Sequence, residues 1–442
     1  VLMDMNGREV NVWKGVHGMP NKIFPGGYLL TSRGRRSGKY SVQDGLDVIQ
    51  VDWDGNIVWK FDKAEYIEDP GEEPQWMARQ HHDYQREGNT VGYYVPGSDP
   101  KTNSGNTLIL AHKNVHVPAI SDKMLLDDVI YEVDWDGDIV WEWKVSDHFE
   151  ELGFDAIARN LMYRDPNYYT GFGNSHIAGD WVHTNSMSVL GPNKWYDAGD
   201  KRFHPDNIII DCRDANIILI IEKATGNIVW KIGPYFDQTP ELRKLGWIIG
   251  QHHAHMIPRG LPGEGNILIY DNGGWAGYYA PNPGSPTGIR GALRDYSRVL
   301  EIDPVTLEIV WQMTPKEAGY LMVFFLSGIQ SISTDVNEAA RIDGANSWTI
   351  FRKITLPLLA PTFLFVSTIA LTNSFKLVDH VVIMTEGAPN NASTLLLYYI
   401  YQQGFTNFNY GVSSALTTVM LLLLMVVALP RFLSQDKKIQ YN

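Results

Sequence analysis

Up to about Pro315, apolar and polar positions alternate in short runs. This is the period-two pattern of strands with one buried face, and helical periodicity is scarce. The clearest runs come in pairs. "VIQVDWDGNIVWK" from Val48, "VIYEVDWDGDIVWEW" from Val129, "LIIEKATGNIVWK" from Leu219 and "VLEIDPVTLEIVWQ" from Val299 each join two apolar runs through a tight turn, and each second run ends in tryptophan. This predicts β-hairpins turned by Asp-Gly or Thr-Gly. Trp59, Trp141, Trp230 and Trp311 end them at spacings of 82, 89 and 81 residues, and "NGREVNVW" ending at Trp13 is a looser relative. Other strand candidates begin at Gly26, Gly105, Asp206 and Gly265, so one repeat holds about four strands, the content of a propeller blade. A generic β-sandwich explains the alternation but not the regular tryptophan-capped repeat.

From Ala318 the pattern changes. Stretches 318–334, 354–375 and 410–430 contain no charged residue, and the last two approach the length that spans a bilayer. Arg341, Arg352 and Lys353 lie between the first two stretches, and Arg431, Lys437 and Lys438 follow the third. The positive-inside rule makes those two segments cytoplasmic, which puts residues before Ala318 and the stretch 376–409 outside.

Composition sharpens this division. The formal charge of −13 comes mostly from the first part and argues against nucleic acid as a partner, because phosphate binding needs clustered cations. Cys212 is the single cysteine, so no intrachain disulfide forms. The chain opens on Val1 without a signal-like segment, and an upstream segment is expected to be missing.

Three stretches stand at equivalent places in successive repeats: "QHHDY" from Gln80, "VHTNS" from Val182 and "QHHAH" from Gln251. They superpose His81, His183 and His252, and in a propeller the innermost strands would bring the three to one end of a central channel. Strand alternation lets only one of His81 and His82 face that channel. A lone strand histidine is most often a surface or hydrogen-bonded core residue; recurrence at one blade position raises the functional reading. A metal site is an alternative, since imidazole is a common ligand and His253 and His255 share a strand face. Against it, no carboxylate or thiolate recurs in register. "DWDGD" lacks the ligand run of a calcium loop and reads as a turn.

In this order, the hairpins ending in "IVW" with "HHD", "HTNS", "DCR" and "QHHAH" resemble the bacterial aryl-sulfate sulfotransferases over about residues 1–320. That resemblance implies a six-bladed propeller that moves a sulfuryl group from a phenolic sulfate donor to a phenol acceptor, without a cofactor or a metal. It makes His252 the transiently sulfated nucleophile. His183 and Asn185 become the His-x-Asn element at the sulfuryl group, Arg213 the sulfate-binding arginine and His81 the remaining channel histidine. About four blades can be counted where the family has six. Trp275, Tyr278 and Tyr279 suit aryl stacking, although ordinary packing explains them equally simply.

The second part carries "EAARIDGANSWTIFRKITLP" from Glu338. Glu338, Ala339, Ala340, Gly344, Leu356 and Pro357 match the spacing of the cytoplasmic loop of permease subunits in ATP-binding-cassette sugar importers, which residues 319–442 resemble. The resemblance implies a loop that docks on an ATPase subunit, and a second permease subunit as partner. Small Ala and Gly residues suit close helix contact there, and about three of some six helices are present.

The expected architecture is therefore an incomplete all-β propeller over residues 1–318, followed by an α-helical transmembrane segment over 319–442. It would lie in a bacterial inner membrane with the propeller outside. Three functions follow: an aryl-sulfate sulfotransferase, a carbohydrate-importer permease component, or a non-native chimera with neither activity intact.

Overall fold

The computed structural model describes the chain apart from residues 5–6, 42, 90, 94, 168–178, 315–323, 326, 330–331, 333–335, 337, 339, 342, 376–394 and 437–442. It divides into two compact units, Val1–Thr314 and Pro315–Asn442.

The first unit is built from four antiparallel four-stranded sheets, each an open meander. The first comprises Lys22–Phe24, Tyr28–Thr31, Val48–Val51 and Ile57–Phe61, and the second Gln80–Arg86, Thr107–Val115, Leu125–Val133 and Ile139–Lys144. The third comprises Thr184–Val189, Ile208–Cys212, Ile217–Ile221 and Ile228–Ile232. The fourth comprises His252–Met256, Ile267–Asp271, Arg298–Ile302 and Ile309–Met313, with the hairpin Gly274–Tyr278/Ile289–Arg294 inserted after its second strand.

The repeated hairpins form the two outer strands of each sheet. Trp59, Trp141, Trp230 and Trp311 pair with Gln50, Glu132, Ile220 and Glu301, each one step before a bulge. The turn needs one left-handed residue: Gly55, Gly137 and Gly226 supply it at φ +89°, +90° and +79°, and Leu307 takes the place at +59° in the fourth hairpin. Asp52 Oδ1 accepts the amides of Asp54 and Asn56, and Asp303 Oδ1 those of Val305 and Thr306. These carboxylates serve the turn itself, as Asx turns do.

Tryptophans also tie the N-terminal segment to the first sheet, the second sheet to the third and the third to the fourth. The indoles of Trp13, Trp143 and Trp230 donate to the carbonyls of Asp52, Gly226 and Pro304, which lie in the following hairpin turn. At the innermost strands the ties are polar. Asp83 and Gln85 accept the amides of Met187 and Val189, and Asp211 accepts that of Ala254 at 2.7 Å. Apolar side chains from facing sheets fill the layers between, including Trp181, Phe203 and Ile210, all fully buried.

In the second unit, Gly344 closes the helical turn that ends at Arg341. Its amide donates to Arg341 O at 3.0 Å and that of Ala345 to Ala340 O at 2.9 Å, a Schellman arrangement with Gly344 at φ +83°. A Cβ at Gly344 would meet nothing within 4 Å. The glycine is thus needed for backbone handedness. Asn346 then caps the next turn through the amide of Thr349. Glu338 is exposed, Ala340 is buried, Leu356 and Pro357 are exposed, and Ala339 lies outside the described residues.

The expected spans are modified. Among the described residues no single helix is long and apolar enough to cross a membrane. Stretch 354–375 is not one straight rod: the helical runs Trp348–Leu358 and Ala360–Ser367 are bent by 60° at a break two residues past Pro357. Stretch 318–334 lies largely outside the described residues. The helix Tyr410–Asp436 covers the third, and two of its threonine hydroxyls bond within it, Thr417 to Ser413 O and Thr418 to Ser414 O.

Candidate active site

The leading edges of the inner strands carry the histidines, and the backbone there is strained. His82, His183 and His253 all take left-handed φ, at +53°, +49° and +55°, a conformation costly for residues with a Cβ and concentrated at functional sites. By backbone conformation His183 therefore matches His82 and His253, one residue away from the sequence superposition on His81 and His252.

The rings of His82 and His183 meet edge to face, with centroids 4.7 Å apart. His81 lies behind His82, its ring edge to face with that of His82 at 5.2 Å, and is buried. Its ring stacks on that of His112 at 3.6 Å, and its Nε2 lies 3.1 Å from Asp128 Oδ1. The Nδ1 atoms of His81 and His82 are 2.9 Å apart.

His183 Nδ1 lies 2.5 Å from Asp180 Oδ2. Burial opposes charge on this imidazole, but the Asp180 carboxylate outweighs it and raises the pKa to about 9, so His183 is a cation at neutral pH. His252 is the opposite case. Its Nδ1 faces Asn272 Oδ1 at 2.7 Å and Gly250 O at 3.3 Å. A carbonyl only accepts, so Nδ1 carries the proton and Nε2 keeps its lone pair. Burial lowers the His252 pKa, and the positive charges of Arg213 and His183 lower it further against the Asn272 hydrogen bond. The result is a neutral imidazole beside two cations.

Arg213 begins the short turn Arg213–Ala215 after the second strand of the third sheet. Its amide donates to His183 O at 3.0 Å, and its guanidinium pairs with Asp214. Asn185 is buried and donates from Nδ2 to Gln251 O at 2.9 Å, the carbonyl just before His252. It thereby fixes the strand that carries His252.

Sequence reasoning missed Asp180, Asn272, His112 and Asp128. Three of the relevant residues share a place near the end of a second strand: His112 in "LAHKN", Arg213 in "IDCRD" and Asn272 in "YDNGG". That recurrence was available as a signal.

His81, His112 and Asp128 offer donor atoms within 4.8 Å of one another. Their geometry suits protons better than an ion. Rings stacked at 3.6 Å and only 13° from parallel aim their lone pairs side by side rather than at one point. His255, half of the other sequence-based metal alternative, has Nε2 taken by the Tyr93 hydroxyl at 3.0 Å and Nδ1 facing His253 O at 2.9 Å.

A cavity of about 640 Å³ opens beside Ile249, lined by Trp247, Tyr279, Leu293 and Tyr296 among others. Tyr278 instead packs in the core, its hydroxyl on Trp181 O, and Trp275 is exposed on the inserted hairpin.

Inner-strand histidines thus stand beside an arginine on a frame of four-stranded sheets. Residues 98–321, just over half of the chain, match the Arylsulfotransferase (ASST) family, and the chain belongs to that family over this region; residues 305–437 belong to the family described as binding-protein-dependent transport system inner membrane component. The first match covers His183, Asn185, Arg213 and His252 and leaves out His81 and His82.

Curated relatives match the second part. The chain is 40% identical over 131 residues to the probable starch degradation products transport system permease protein AmyD of Thermoanaerobacterium thermosulfurigenes, covering 29% of this chain and 44% of that protein. It is 36% identical over 120 residues to the putative ABC transporter permease protein ORF1 of a Caldicellulosiruptor species, covering 27% of this chain and 83% of that protein. Among solved structures, a bacterial ABC transporter involved in alginate import aligns at 24% identity and a TM-score of 0.26, covering 28% of this chain and 43% of that one. The chain thus spans less than half of AmyD's length.

Proposed function

We propose that the first unit is an aryl-sulfate sulfotransferase working by a ping-pong mechanism through a sulfohistidine at His252, its four sheets being blades of an incomplete propeller. The observation that carries this reading is a neutral, Nδ1-protonated His252 beside the cations Arg213 and His183. In the first half-reaction, His252 Nε2 attacks the sulfur of a phenolic sulfate; the N–S bond forms, the S–O(aryl) bond breaks and the phenolate leaves. Arg213 presents a planar fork to two sulfuryl oxygens and His183 a charged N–H, so the developing charge meets positions already set. In the second, a phenol gives its proton to His82, its oxygen attacks sulfur and the N–S bond breaks. His82 takes the part the sequence assigned to His81, because its ring is the one beside His183. Asn185 positions the nucleophile's strand.

The experiment is turnover of a chromogenic aryl sulfate by the His252→Ala protein. A loss of at least about 10³-fold is expected, on the scale seen when a covalent nucleophile is removed; undiminished turnover would sink the assignment.

A second reading rests on the match of residues 305–437 to the permease family. Under it, the second unit sits in an inner membrane and its Glu338–Pro357 loop docks on an ATPase subunit beside a second permease subunit, with the sheet unit outside. ATP hydrolysis by a partner ATPase, lowered by Gly344→Val, tests it. Loss of neither activity on mutation, because neither is present, would identify the chain as a chimera without intact function.

A further inference from the structure

Behind the three histidines lies a buried cluster that this mechanism does not use. His81 Nε2, His112 Nε2 and Asp128 Oδ1 are buried and make no hydrogen bond among the described residues, although the two nitrogens lie 3.1 and 3.7 Å from that oxygen. The geometry points to Asp128 and His81 as positioning residues that fix the tautomer of His82, leaving His82 Nε2 as a free base toward the acceptor; this rests on the sulfotransfer reading above.

The argument proceeds by elimination from the far end. Asp44 is paired with Arg79 at 2.8 Å and Arg36 at 3.1 Å, so it is a carboxylate, and His112 donates Nδ1–H to it at 2.7 Å. Neutral His112 then turns a lone pair toward Asp128 Oδ1, 3.7 Å away. The nearest nitrogen able to supply that oxygen with a proton is His81 Nε2, 3.1 Å away and itself unpartnered; a small rotation of the ring aims its N–H at Oδ1 and satisfies both buried atoms. Burial pushes the His81 pKa down to about 4, so it is neutral and its Nδ1 is unprotonated. The 2.9 Å Nδ1–Nδ1 contact with His82 therefore needs the proton on His82. His82 becomes the Nδ1–H tautomer, and its Nε2 lone pair is left free. When the acceptor phenol gives up its proton, Nε2 takes it, and the imidazolium is held by the same hydrogen bond to His81 and, through it, to the Asp128 carboxylate. No proton need leave the chain.

Asp128→Asn reverses the order for a structural reason. Asp128 Oδ2 accepts the Thr184 amide at 2.7 Å, so the asparagine oxygen stays there and its NH₂ turns to His81 Nε2. His81 becomes Nδ1–H and His82 becomes Nε2–H, without a lone pair for the phenol.

The test has two arms on the full chain. Two-bond ¹⁵N–¹H spectra of histidine-labelled protein, with His82 assigned by its loss in His82→Gln, should give the Nδ1–H pattern in the parent and Nε2–H in Asp128→Asn. An Nε2–H pattern for His82 in the parent overturns the proposal, and this arm needs no activity. In the kinetic arm, Asp128→Asn should lower kcat about 10²–10³-fold for simple phenol, with KM little changed. It should leave an acidic nitrophenol acceptor, already ionised, near the parent rate. Equal losses on both acceptors, or no loss on either, also overturn it. If the parent transfers no sulfate, the sulfotransfer reading fails while the spectra still decide the tautomer.

Discussion

In the sheet unit, polar side chains do much of the interior work. Asp44 binds two arginines and a histidine, Asp83 and Asp211 tie neighbouring inner strands, and apolar side chains fill the layers between. The helical unit reverses this arrangement: its backbone and hydroxyls satisfy one another, and its large apolar side chains face outward, with Leu421 and Leu422 each 55% exposed. A sheet leaves edges that must be paired or stitched, so polar side chains become structural. A helix closes its own hydrogen bonds and leaves its side chains to match the surroundings. The same physical rules therefore read differently in the two units: a buried carboxylate is architecture in one, and large apolar side chains stand outward in the other.

The comparison breaks most sharply at the buried charges. Asp44→Ala strands Arg79 without its fully buried partner and is expected to cost about 3–5 kcal/mol in urea unfolding of the sheet unit. Trp230→Ala should cost a similar amount, about 3–5 kcal/mol, by opening a cavity and freeing Pro304 O. A smaller effect is expected from Leu422→Arg. It should weaken association with lipid vesicles by about 2.5–3.5 kcal/mol if the position reaches the bilayer centre, and leave sheet-unit unfolding unchanged. A shifted unfolding midpoint would contradict the separation of roles.

The pH dependence sharpens the site itself. The His183 pKa is raised above its ordinary value, so the stability it contributes is complete below about 6.5 and is lost as pH rises through about 9. Transfer should fall over the same range, and Asp180→Asn should move that alkaline limb toward neutral pH, as read from kcat against pH. The smallest effect is Trp311→Ala. This residue occupies the register of Trp230 but is 48% exposed, and about 0.5 kcal/mol or less is expected. A cost as large as that of Trp230 would show that something covers the outer strand of the fourth sheet in solution.

Much of this was legible along the chain. Alternation and the recurring tryptophans located the outer hairpins to the residue, because the strand period is two and the turn must be left-handed at one position. "HTNS", "DCR" and "QHHAH" located three edges of the site. The facing residue of the His81–His82 pair was not legible, because a left-handed φ at His82 breaks the alternation from which facing is read. Asp128 and Asp44 were hidden for another reason: they lie about 16 and 68 residues from His112, Asp128 on the neighbouring strand and Asp44 in the loop before Val48–Val51, and meet it only in the folded unit.

The sequence by itself determined the local elements and their chemistry, since propensity, period and turn residues act over a few positions. It set four sheets, a change to helices near residue 318, and which histidines stand at strand edges. Only the tertiary structure decided which nitrogen of each imidazole carries a proton. That choice belongs to the neighbours Asp180, Asn272, Asp128 and His81; Asp180 and His81 lie close to their partners in sequence, whereas Asn272 and Asp128 are brought beside theirs by the sheets. The fold thereby sets identical side chains in different states, His183 as a cation and His252 as a neutral Nδ1–H imidazole.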